Sequence, residues 1–223
     1  MCFSVAASVA ASAVLIPTGI YGLGLARTRS AYWPLALVPL AFGLQQGFEG
    51  IVWWGMNAND LTMARVGALL FLFFSHWFWL VWLPFLALHL ETHPRMQAID
   101  RCLMGLGALY GAFLYLPLLW HPDWVSVTVI QHSIEYQAHF IGESIPVVFS
   151  RLLYTSILLI PLMFSSELDI RIWGGLIALL ACVSYLVFNY AFVSIWCFLA
   201  ALLSLCVVFM LGKVQPSLPE RFG

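Results

Sequence analysis

Apolar residues run through this chain in long unbroken stretches, each closed by a short polar group. Stretches of that length predict membrane-crossing helices, not the half-apolar stripes of a water-soluble bundle. Seven spans are expected, at about 4–26, 33–56, 66–90, 102–120, 145–164, 172–189 and 192–212. The first closes on Ala26-Arg27-Thr28-Arg29, the second on the turn-forming Asn57-Ala58-Asn59-Asp60. The third closes on Glu91-Thr92-His93-Pro94-Arg95, where a proline behind polar residues stops a helix. Residues 172–212 are 41 uncharged positions, twice the ~20 that one span needs. Two helices are therefore expected there, with the break near Asn189-Tyr190. Basic residues follow the first apolar run instead of preceding it, which argues for an uncleaved span and against a secretory signal.

One connection is long. Residues 121–144 are too polar to span and too aromatic for a free linker, and Trp124 to Val129 alternates like a strand, so a small hairpin on the membrane is expected. Residues 213–223, with Pro216 and Pro219, form a short tail. Lysine and arginine are retained on the cytoplasmic side of short loops. With the N-terminus outside, Arg27, Arg29, Arg95, Arg101, Arg171, Lys213 and Arg221 fall inside and Arg65 and Arg151 outside, seven of the nine basic residues. The expected fold is therefore all-α: a single polytopic domain over 1–212, a seven-transmembrane-helix bundle, N-out and C-in, with the 121–144 loop exterior.

Composition agrees and narrows the partners. The chain is 63% hydrophobic and 9% charged, against about 25% charged residues in an ordinary soluble domain. A net charge of -1 offers no basic field, so no nucleic acid is expected as a partner. The lipid bilayer is the expected surrounding; a lipid or small-molecule ligand, a homo-oligomer and a larger membrane complex are left open. Cys2, Cys102, Cys182, Cys197 and Cys206 lie in apolar surroundings with no CxxC pair, which suggests buried thiols and neither a disulfide framework nor a zinc knuckle.

Candidate chemistry sits where ionisable groups fall inside spans, because each costs roughly 2.5 kcal/mol or more at the bilayer centre and needs a partner or a task. In span two, Gln45, Gln46 and Glu49 are three and four residues apart and share one side of the helix. Gly43, Gly47 and Gly50 are read as letting a neighbour approach that side. His76 lies among aromatics in span three and Arg151 six residues into span five, at depths that let both meet Glu49 in the outer half. The ligand-binding candidates are thus Gln45, Gln46, Glu49, His76 and Arg151. In an enzyme, Glu49 and His76 are the candidate acid-base groups. In the loop, His132, Glu135, His139 and Glu143 would share one side of a helix and are weak metal candidates, with no HExxH-type spacing. No cofactor is identified: a bound metal is left open, and haem is disfavoured because His76 and His89 lie on one helix.

The opening Met1-Cys2-Phe3-Ser4, the run Gln45-Gln46-x-x-Glu49-Gly50-x-x-Trp53 and Ser194-Ile195-Trp196-Cys197-Phe198 resemble an uncharacterised bacterial family of multi-spanning membrane proteins that begin Met-Cys-Phe-Ser. The resemblance covers nearly the whole chain and implies a bacterial inner-membrane location, with no mechanism. The N-out seven-span plan is also similar to that of alkaline ceramidase-like hydrolases, but those hold zinc with histidines in several spans including the last. Span seven here has no histidine. A protein that binds, senses or transports a small molecule, ion or proton is the first expectation. A membrane enzyme is the second and an accessory subunit of a membrane complex the third.

Overall fold

The computed structural model describes residues 4–28, 30–130, 133–138, 147–187 and 191–213. Among them lie seven helices: α1 (Val5–Ala26), α2 (Trp33–Asn57), α3 (Leu61–Leu90), α4 (Pro94–Trp120), α5 (Val147–Met163), α6 (Leu168–Val187) and α7 (Phe192–Lys213). Between α4 and α5 runs an antiparallel hairpin, β1 (Val125–Ile130) and β2 (Ser133–Ala138). Six helices are long and apolar enough to cross a membrane; α5, with its apolar part at Val148–Met163, is shorter. These are the helices of a multi-pass membrane protein. The anticipated break at Asn189-Tyr190 lies outside the described residues, as do Cys2 and the tail beyond Lys213.

Helices extend past the apolar runs wherever local chemistry supports them. Asn59 takes a left-handed φ of 55°, which asparagine tolerates, and Asp60 then caps α3 by accepting the Met63 N–H at 2.9 Å. As a result α3 starts at Leu61, a full turn before the apolar run does. Ser4 caps α1 in the same way through the Ala7 N–H. Pro94 opens α4, where its missing N–H is not needed.

The outer surface is apolar, the reverse of a soluble protein. Leu109, Trp120, Leu186 and Phe209 are each 70–79% exposed, and a lipid environment accounts for them without a partner protein. α2 lies at the centre: 67% of its span is buried, against 28% for α1 and 22% for α4. The glycines allow close packing. A Cβ on Gly43 would stand 2.9 Å from the Ile16 N of α1, and one on Gly111 of α4 would stand 2.7 Å from the His76 O of α3.

α3 carries a π turn at Phe74–Phe78. Its widened backbone frees the Ser75 carbonyl, which accepts the Tyr154 hydroxyl of α5, so the two helices are joined at the middle of the bundle. The hairpin docks over one end. Val125 and Ile134 are buried with Val52, Trp53, Phe71 and Leu118, and Tyr136 stacks on Phe71 at 4.7 Å between ring centroids. The pairing Val127↔Tyr136 places both side chains on one face of the hairpin. Ser133–Ala138 is a strand, so the helical arrangement that would have aligned Glu135 with His132, His139 and Glu143 does not form at Glu135.

Candidate functional site

α2 places three polar side chains in the packed interior: Gln45 and Gln46 are fully buried and Glu49 is 1% exposed. Glu49 turns toward α7, where Ser194 donates to its Oε1 at 2.5 Å. The Gln46 amide and the Tyr136 hydroxyl of the hairpin also face this carboxylate. Gln45 Oε1 accepts the Trp79 indole N–H of α3 at 2.8 Å, and Trp79 is stacked under Phe42 at 4.0 Å. Burial first, then the charge of Glu49, pushes the Tyr136 hydroxyl well above its ordinary value, so it remains a neutral donor above the site.

The partners do not exhaust the polar atoms. Glu49 Oε2, both polar atoms of the Gln46 amide, Gln45 Nε2 and the Tyr136 hydroxyl are buried without a hydrogen bond of good geometry, although Gln46 and Tyr136 lie close enough to Glu49 to act on its carboxylate. Two are acceptors and three are donors or can be. On the side away from the hairpin, a cavity of about 30 Å³ is walled by Phe42, Trp79, Leu83, Trp173, Ile177 and other apolar groups. Its exposed lining is almost wholly apolar and holds water or an ion poorly.

The remaining candidates have contacts of their own. Because α3 begins at Leu61, His76 lies fifteen residues into it, within the π turn, and its Nδ1 bonds the Ser75 hydroxyl at 2.9 Å. The guanidinium of Arg151 lies over the rings of Tyr185 and Phe192, 5.5 and 5.3 Å from their centroids, near the hairpin ends of α6 and α7. Glu135 accepts from Thr128 at 3.0 Å and from Gln137 at 2.9 Å on the hairpin. His132, His139 and Glu143 lie outside the described residues. Among the described residues no three His, Cys, Asp or Glu side chains are grouped to hold a metal.

Two features were not legible in the sequence. The glycine side of α2 and its carboxylate side are different sides: Gly43, Gly47 and Gly50 receive Ile16, Ser12 and Val9 of α1, whereas Glu49 meets α7. At 100° per residue Glu49 is more than a quarter turn from those glycines. Ser194, Tyr136 and Trp79 were also not anticipated, since only tertiary packing brings them to Gln45 and Glu49.

A second polar group lies at the end away from the hairpin. Glu91, 5% exposed, follows the last turn of α3. Its Oε1 accepts the Thr92 and His93 N–H groups at 2.8 Å each and the Ser166 hydroxyl; Oε2 accepts the Ser166 N–H at 2.9 Å. Burial alone would raise this carboxyl, but the bonds from Ser166, His93 and Thr92 outweigh it and hold it below its ordinary value. Glu91 thereby ties the α3–α4 loop to the α5–α6 loop.

The chain belongs to a family of unknown function (DUF6629), whose model matches residues 1–221. No curated protein and no solved structure matches it.

Proposed function

We propose that this member of the family binds and moves, or senses, a small polar solute, cation or proton at Glu49, reached from the hairpin side. The reading includes seven spans with the N-terminus outside, in the inner membrane of a bacterium. The observation that carries it is a buried carboxylate ringed by the polar groups of Gln46, Tyr136 and Ser194, whose hydrogen bonds are incompletely made. An unsatisfied buried polar atom costs roughly 1–3 kcal/mol, so each one left unmet is a sizeable part of a whole protein's stability. Such an arrangement is poor as a structural network. A guest that both donates and accepts hydrogen bonds would satisfy it. Access from the hairpin side is supported by Tyr136 lying over Glu49 and by the apolar cavity beneath.

Proteoliposomes containing the full chain test this. Proton and sodium flux, read with internal dyes, should exceed that of empty liposomes and fall at least tenfold in Glu49→Gln and in Gln46→Leu. Equal flux in the wild type and Glu49→Gln removes Glu49 from the mechanism. Orientation is tested by labelling single cysteines with a membrane-impermeant maleimide on intact cells. Positions 59 and 126 should react from outside and position 92 should not.

A further inference from the structure

We propose that the end of the bundle away from the hairpin holds a second, independent site, in which Asp100 and Glu91 bind a monovalent metal cation such as Na⁺. Asp100, in the second turn of α4, is 1% exposed. Its Oδ1 is buried without a hydrogen-bond partner. A buried carboxylate is among the most costly groups to place in a protein interior, and Oδ1 has no donor to offset that cost. Among the described residues no lysine or arginine ion-pairs with it, although Arg95 and Arg101 are close in sequence and exposed.

A second carboxylate makes the cost larger. The charge of Glu91 acts on Asp100, and the two are brought together through Gln97: its amide donates to the Glu91 carbonyl at 2.8 Å, and Asp100 follows one turn later on the same side of α4. Two carboxylates that act on one another through their charge favour a cation at the same end of the bundle. The charge of Glu91 is already countered by three backbone N–H groups and a hydroxyl, whereas that of Asp100 is not. One uncompensated negative charge matches a monovalent ion.

Other hard oxygens lie at the same end of α3. α3 ends at Leu90, and Glu91 turns into extended conformation at φ -78° and ψ 136°, so the last carbonyls of α3 have no partner within the helix. That end also carries the negative pole of the helix dipole. Carboxylate and carbonyl oxygens are the donor set that hard cations take. The site is separate from Glu49, at the opposite end of the bundle.

The test is thermal unfolding of the full purified chain in detergent, titrated with NaCl against choline chloride at constant ionic strength. Wild type should gain at least about 4 °C in Tm, saturably, as expected of a ligand reaching about 100 times its Kd. Asp100→Asn should lose that gain, whereas Glu49→Gln should keep it. No sodium response in the wild type overturns the proposal, as does an equal response in Asp100→Asn or a loss in Glu49→Gln. A response to Mg²⁺ or Ca²⁺ without one to Na⁺ overturns the monovalent assignment. If Asp100→Asn does not fold, ²³Na line broadening by the wild type decides: broadening kept in Glu49→Gln supports the site, and its absence refutes it.

Discussion

Removing the Glu91 side chain should loosen the end of the bundle away from the hairpin. Glu91→Ala deletes four hydrogen bonds, from the Thr92 and His93 N–H groups and from the N–H and hydroxyl of Ser166. Bonds to a charged acceptor contribute roughly 1.5–3 kcal/mol each. Thr92 and His93 are exposed, so water takes over their donors at small cost. The Ser166 pair is different, because it joins two loops and its acceptor is buried, and it accounts for a loss of about 3 kcal/mol. At about 2–4 °C per kcal/mol for a chain of this size, Tm should fall by about 6–12 °C. Glu91→Gln keeps an acceptor and loses the charge, so it should lie between Glu91→Ala and the wild type. Tryptophan fluorescence during heating of the full chain in detergent measures this, in choline chloride so that sodium does not contribute. A fall below about 2 °C for Glu91→Ala would refute the reasoning, and so would Glu91→Gln proving worse than Glu91→Ala.

Gly111→Leu should cost about 3 kcal/mol or more, because the first added carbon meets the His76 O at 2.7 Å and the Trp77 Cα at 3.0 Å, which are backbone and cannot swing away; the folded fraction on size exclusion should drop sharply. Ser194→Ala removes the donor to Glu49 Oε1 and should cost roughly 1–3 kcal/mol. In the Glu49→Leu background the same change should cost much less, and additive losses would show that the two do not interact. Tyr154→Phe takes the hydroxyl from the Ser75 carbonyl and should speed amide exchange across Phe74–Phe78; unchanged exchange would mean that the π turn holds itself.

Run length and polar punctuation determined much of this protein by themselves. The six long apolar helices, the turn at Asn57-Ala58-Asn59-Asp60, the stop before Pro94 and the hairpin strand beginning at Val125 are each local: a span needs a certain length of apolar chain, and a cap or turn needs a particular side chain within a few residues. The buried Gln45, Gln46 and Glu49 were legible for the same reason, since spacing along one helix sets which residues share a side. Only the tertiary structure decided what those sides meet. Glu49 and Ser194 are 145 residues apart, and the rotation of α2 that points its glycines at α1 and its carboxylate at α7 comes from packing seven helices together, which periodicity within one apolar helix does not encode. The π turn at His76 likewise meets partners from other helices, Tyr154 and Gly111. Asp100 precedes the fourth expected span, and only the fold, by burying it at the end of the bundle that holds Glu91, gives it a charge to resolve.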